Sequence, residues 1–205
     1  MTTGAGPLDV PIRIRVDYDF ASSLCYVAHR AMERLASSLD ALGLALDWSP
    51  LDLSRITGWR RGAPVDDERL ANVARVAREL DVPLRIPPVW LDSRRAHAIG
   101  LLLPPDREAT WRERIFCAVF EEGHGLDDPE IDSLTAGLGI AFSEAEIERG
   151  RDALEARTRS AHEEMVTGVP SFMLGEWPFG GIQTDDTMLS ILGRFARKQR
   201  GEHTH

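Results

Sequence analysis

The run Ile12-Arg13-Ile14-Arg15-Val16-Asp17-Tyr18-Asp19-Phe20-Ala21-Ser22-Ser23-Leu24-Cys25-Tyr26 changes its period halfway along. From Pro11 to Tyr18 apolar and polar residues alternate. Ile12, Ile14 and Val16 fall on one face and Arg13, Arg15 and Asp17 on the other, the period of a half-buried strand. Asp19 to Ser22 breaks the alternation, and Ser22 and Ser23 are good helix N-caps. From Leu24 to Leu42 the apolar residues recur at three- and four-residue spacing (Leu24, Val27, Ala28, Ala31, Leu35, Leu39), which predicts a helix that Gly43 can end. Ala45 to Leu51 then reads as a second strand. Two strands joined by a crossover helix run parallel with a right-handed connection.

Downstream the pattern is helical for about a hundred residues: Asp66–Leu80, Ser93–Leu103, Ala109–Glu122, Asp132–Leu138 and Glu144–Met165. Pro83, Pro87 and Pro88 mark a loop within that block. β character returns at the end. Pro170–Leu174 and Trp177–Ile182, separated by Gly175 and Glu176, suit a hairpin. Pro178 cannot donate to a ladder and belongs at the start of its strand. Thr184–Arg197 is a final helix striped by Met188, Ile191, Leu192 and Phe195. The expected class is α/β, with one mixed sheet of four strands and a large α-helical insertion. Its parts are residues 10–52, the insertion over 53–165, and 166–200. Residues 1–9 read as a loose leader and Gly201–His205 as a disordered tail.

The 205 residues carry a formal net charge of -9, with 43% apolar and 28% charged residues. That chain can bury a proper core. An acidic surface repels phosphate backbones, so no nucleic-acid partner is expected. Arg60, Arg61 and the basic run Arg194–Arg200 read as solvated charge near a loop or helix end. No apolar run reaches the roughly 20 residues that span a bilayer. No signal peptide is read at the N-terminus, and a cytoplasmic location is expected. Cys25 and Cys117 are far apart and are expected to be free thiols. There is no C-x-x-C pair and no Cys/His cluster of zinc spacing, so no metal is expected.

Two stretches carry candidate chemistry. At the strand-to-helix junction, a helix N-terminus offers unpaired N–H groups and a partial positive charge, and Ser22 offers a hydroxyl donor. Ser22 reads either as an anion site or as a plain cap. Cys25, one turn in, reads either as an activated thiol or as a small buried hydrophobe. Cys117 lies in an apolar helical run and reads as core. The second stretch is Gly168-Val169-Pro170-Ser171-Phe172. If the Val169–Pro170 bond is cis, the Val169 main chain is free to pair with an extended ligand.

Asp19-Phe20-x-Ser22-x-x-Cys25-Tyr26 resembles the active-site turn of the DsbA-like thioredoxin superfamily. Gly168-Val169-Pro170-Ser171-Phe172 resembles its Gly-Val-Pro-Thr-Phe segment, in which the proline is cis. The resemblance covers roughly Ile12 to Phe195. It implies a thioredoxin fold, βαβ…ββα, interrupted by the helical block. One branch, the thiol-disulfide oxidoreductases, carries Cys-Pro-Trp-Cys where this chain has Ser22, Ser23, Leu24 and Cys25. Dithiol cycling between positions 22 and 25 therefore cannot occur. The other branch holds the 2-hydroxychromene-2-carboxylate isomerases and kappa-class glutathione transferases. It carries Ser-Pro-Tyr at the turn, and its serine stabilises the thiolate of bound glutathione. Ser22 matches that serine. Asp92-Ser93-Arg94 stands where that branch has Asn-Ser-Arg.

The resemblance implies a small-molecule enzyme, a thiol-dependent isomerase or transferase. Its cofactor would be glutathione or another low-molecular-weight thiol, and a homodimer is common in the family. Ser22 and Cys25 are the catalytic candidates. Ser23, Asp92, Val169, Pro170, Gln183 and Asp185 are the cofactor-binding candidates. Ser23 replaces the usual turn proline. Gln183 replaces an aspartate that helps hold the glutathione α-amino group, a role Asp185 or Asp186 is placed to take. The alternatives are an oxidoreductase-like protein using Cys25 alone, and a non-catalytic ligand-binding accessory protein.

Overall fold

In the computed structural model, which describes residues 10–139 and 141–201, the first alternating run is strand Ile12–Tyr18 (β1). Ile14 and Val16 are completely buried, as the alternation requires. Asp17 is buried too, against expectation. One face of β1 packs on the main core; the other stays open at Arg13 and is buried only toward its Asp17 end. Arg15 bonds Asp17 and Glu164 there. Burial pushes the Asp17 carboxyl up to about 6, against the lowering effect of Arg15.

The predicted crossover helix forms in two pieces, Ser23–Arg34 (α1) and Ala36–Ala41 (α2), divided at Leu35. Strand Leu44–Pro50 (β2) follows, parallel to β1. The helical block comprises Leu53–Thr57 (α3), Asp67–Glu79 (α4), Arg94–Leu102 (α5), Pro105–Cys117 (α6), Asp128–Gly137 (α7) and Glu144–Glu163 (α8), with a π-helical turn over Ala118–Glu122. Side-chain caps fix most of their starts: Asp52, Asp66, Asp127 and the Ser143/Glu146 capping box. Strands Ser171–Leu174 (β3) and Trp177–Gly180 (β4) form the hairpin, and Asp185–Gln199 (α9) closes the chain. The sheet order is β2-β1-β3-β4, with β3 antiparallel to β1. Pro178 is the second residue of β4, on the sheet's edge, where a missing donor is tolerated.

The helical block has no separate core. Trp111, Ile115, Phe116 and Phe120 are buried in one cluster with Ile14 and Val16 of the sheet. Trp111 donates its indole N–H to the Ala96 carbonyl at 2.9 Å, which satisfies the one polar atom it buries. No helix among the described residues is long and apolar enough to cross a membrane. The leader over 1–9 and the tail beyond Gly201 lie outside the described residues.

α5 packs tightly on α8 where Ala98 meets Gly150. A Cβ at Gly150 would stand 2.8 Å from the Ala98 carbonyl carbon and closer still to its oxygen. Backbone atoms cannot yield as a side-chain tip can. Gly150→Ala is therefore expected to destabilise by about 1–3 kcal/mol, although alanine is the better helix former by about 0.5–1 kcal/mol. A lowered urea midpoint checks this. An unchanged or raised midpoint would mean that α5 and α8 do not meet there.

Candidate active site

β1 ends at Tyr18 and the chain turns through Asp19, whose carbonyl accepts the Ser22 N–H at 3.0 Å. Ser22 is the N-cap of α1: its backbone is extended and its hydroxyl oxygen accepts the Cys25 N–H at 3.4 Å. Capping uses only the oxygen lone pair, which leaves the hydroxyl proton to donate, either to the Cys25 sulfur or to a ligand. Ala21, Ser22, Ser23 and Leu24 form one wall of a cavity of about 290 Å³. The first turns of α4, with Arg69, Leu70 and Val73, form the opposite wall. Pro87, Val89 and Trp90 close one side.

Asp19 holds this turn to the helical block. It is 2% exposed. Its carboxylate accepts the Ala21 N–H at 2.8 Å and the Leu53 N–H at 2.8 Å, and His97 Nε2 lies 3.3 Å away. Burial alone raises a carboxyl's pKa. Pairing with His97 and hydrogen bonds from Ser93 and Ala21 outweigh it and hold Asp19 below the ordinary value. His97 is fully buried, stacks on Phe20 at 4.4 Å, and has its Nε2 3.2 Å from the Phe20 N–H. Nothing in the spacing of Asp19, Leu53, Ser93 and His97 signals this cluster. The only local cue is a carboxylate at the start of a turn, where it can accept a main-chain N–H two residues on.

Two tryptophans stand beside the cavity. Trp59 and Trp90 stack with ring centroids 3.5 Å apart, and the Arg69 guanidinium lies 3.9 Å from the Trp59 centroid and 5.2 Å from that of Trp90. Trp111 and Phe116, by contrast, are core.

The cysteines differ from expectation. Cys25 is completely buried, and burial pushes its thiol up to about 12 despite a hydrogen bond from Ser22. A neutral, buried thiol is a poor nucleophile toward an external partner, which favours the packing reading of Cys25 over the catalytic one. Cys117 is half-buried instead of core. It donates to Glu113 at 3.0 Å, beside Arg30 and Glu121. Burial and the two carboxylates raise its thiol to about 12 as well. The polar residues at i−4 and i+4, Glu113 and Glu121, were the available signal that this face is wet. Alkylation of the folded protein is expected to be slow at Cys117 and to reach Cys25 only on unfolding. Peptide mapping that finds Cys25 modified first would contradict this.

Of the cofactor-binding candidates, Ser23 lines the Ser22 cavity. Val169–Pro170 is cis. Pairing of Asp17 with Ser171 places it at the end of the sheet from which β1 runs into Ser22. The Pro170 carbonyl is taken by the Gly181 N–H at 2.8 Å. Val169 and Pro170 are not among the residues that line the Ser22 cavity, and neither are Asp92, Gln183 and Asp185. Asp92 is committed to Arg94 and to Arg61 at 3.2 Å, which hold its carboxyl low. Gln183 is exposed. Asp185 pairs at 3.1 Å with Arg34, the last residue of α1 and three turns from Ser22. His29, Glu33 and Glu113 bring ligand-type atoms within 4.8 Å of one another, a grouping the sequence spacing did not show. The Arg30 guanidinium already bonds both carboxylates and supplies the cluster's cation.

Known structures share the architecture. A 2-hydroxychromene-2-carboxylate isomerase superposes with a TM-score of 0.68 at 23% identity, covering 94% of this chain and 100% of that one. A probable DsbA oxidoreductase from Streptomyces coelicolor gives 0.70 at 18% identity, over 95% and 92% of the two chains. The cytosolic disulfide reductase DsbM from Pseudomonas aeruginosa, solved with GSH, gives 0.58 at 20% identity, over 93% and 98%. Compared by sequence with curated proteins, the chain finds no match. The family model of the DSBA-like thioredoxin domain matches residues 13–192, from the second residue of β1 to the middle of α9. Sheet order, crossover helix, helical block and closing hairpin all follow that pattern, and this chain belongs to the DSBA-like thioredoxin domain family.

Proposed function

We propose that this protein binds a low-molecular-weight thiol, glutathione or one like it, beside Ser22, and uses the bound thiolate in an isomerase or transferase reaction on a small molecule. One observation carries the reading. The residue at the head of α1 that opens onto a cavity is a serine, while the turn's cysteine is buried with its thiol near 12. The protein has no thiolate of its own there, and it has a hydroxyl and a helix N-terminus suited to hold one brought in. Two neighbours lean the same way, one an isomerase and one solved with GSH. Ser23, Val169 and Pro170 complete the thiol site in this reading.

The chemistry is conjugate addition. The thiolate sulfur forms a bond to the β-carbon of an enone, and the electron pair moves onto the carbonyl oxygen. The former double bond is now single and rotates. Collapse of the enolate expels the thiolate and restores the double bond in the other geometry. In a transferase reaction, the same sulfur displaces a leaving group and stays attached. The accessory-protein alternative shares this site and differs only in lacking turnover.

Glutathione-dependent turnover of an enone, or of an activated haloarene, across a pH series tests the proposal. The reactive form is the thiolate, so the rate rises with pH through the bound thiol's pKa. Ser22→Ala is expected to lower kcat/KM at neutral pH by about tenfold to a hundredfold, the worth of one charge-assisted hydrogen bond. It should also move the acid limb to higher pH. Equal profiles for both proteins would refute the role of Ser22.

A further inference from the structure

The cavity beside Ser22 contains a cation that the fold does not use. Arg69 is half-buried, with its guanidinium against the Trp59 face at 3.9 Å. Among the described residues its side chain makes no ion pair and donates no hydrogen bond. Asp66, the carboxylate whose charge acts on it, is the α4 cap and accepts the Arg69 main-chain N–H at 2.8 Å. The neighbouring arginines are used differently: Arg61 is paired with Asp52 and Asp92, and Arg94 with Asp92. Stacking on indole covers the guanidinium's face and strips water from it, but leaves its five N–H donors pointing edgewise. Burial accordingly lowers its pKa, with only Asp66 acting the other way. A planar fork of donors, held rigid by a ring stack and left without an acceptor, matches a carboxylate.

We infer that Arg69 binds the carboxylate of the ligand in the Ser22 cavity, with the ligand's apolar part packed toward Trp90, so that the site selects small organic acids. The inference rests on reading that cavity as the binding site. Glu68 also borders the cavity but is exposed at its rim. The acid could belong to the thiol itself or to its co-substrate, and matched ligands separate the two sources.

Isothermal titration of the full chain with four probes tests this: 3-mercaptopropionate against its amide, and 3-phenylpropionate against its amide. The expected result is an acid that binds about tenfold to a hundredfold tighter than its amide. That preference should disappear in Arg69→Gln. A preference confined to the thiol pair assigns the carboxylate to the cofactor; one shown by the phenyl pair assigns it to the co-substrate. If the phenyl acid shows the Arg69-dependent preference while neither thiol binds, the thiol reading fails and the acid site stands. Equal binding of acid and amide to the wild type, no binding of either acid, or a preference that persists in Arg69→Gln overturns the inference. The comparison within the wild type holds even if Arg69→Gln folds poorly, and thermal melts of both proteins show whether it does.

Discussion

Replacing Asp19 with alanine is expected to cost about 3–5 kcal/mol of stability, because it strands several buried donors at once. The Ala21 and Leu53 N–H groups lose their acceptor, and Ser93 and His97 lose the partner that ties α5 to the turn. Asp19→Asn should fare little better, since its amide nitrogen would face one of those donors. The pH dependence is specific. A carboxyl held below its ordinary value of 3.8 contributes stability above that pH and loses it as pH falls through the folded value. The stability gap between wild type and Asp19→Ala should therefore be constant near neutrality and close as pH drops below about 4. Urea midpoints at a series of pH values measure it. A neutral-pH gap under about 1 kcal/mol would show that the carboxylate is not the latch.

Ser22→Cys should convert the site outright. It creates a C-x-x-C pair with Cys25 at the N-terminus of a 12-residue helix. The introduced thiol is expected to titrate between about 3.5 and 7.5, where thiols at helix N-termini fall, instead of near 8.5. Mild oxidation should join it to Cys25 with loss of two hydrogens, shown by intact mass, and the protein should then exchange disulfides with small thiols. The buried Cys25 suits the resolving role, because its thiol stays protonated and unreactive until attacked from within the pair. An introduced thiol of ordinary pKa that stays reduced would mean that α1 exerts no pull on an anion at this position. It would then count equally against a thiolate held by Ser22.

Much of the scaffold was readable because periods change sharply along the chain. β1, the crossover helix and α9 each carry a clean two- or 3.6-residue repeat, and the hairpin shows as two short apolar runs on either side of Gly175 and Glu176. The breaks were less visible. No proline or glycine marks Leu35, where the crossover helix divides. The five-residue α3 is too short to show a period, although Asp52 before it and Gly58 after it, at φ +73°, are ordinary boundary signals. The start of α7 is four residues earlier than its apolar repeat suggests, because the Asp127 cap and Pro129 set it. At the site, Ser22, Ser23, Val169 and Pro170 were legible through a family resemblance. Asp19 with Leu53 and His97, and Arg69 with Trp59 and Trp90, were not. Those partners are brought together by packing of the helical block onto the turn, and no spacing in the chain encodes their meeting.

Ultraviolet titration of glutathione bound to the wild type and to Ser22→Ala reads the thiolate itself. The bound thiol is expected to titrate near pH 6.5 in the wild type, about two units below a free thiol, which corresponds to about 2.7 kcal/mol of preferential thiolate stabilisation. It should return most of the way toward about 8.5 in the variant. Glutathione that binds yet titrates at its free-solution pKa in both proteins would contradict a thiolate held by Ser22.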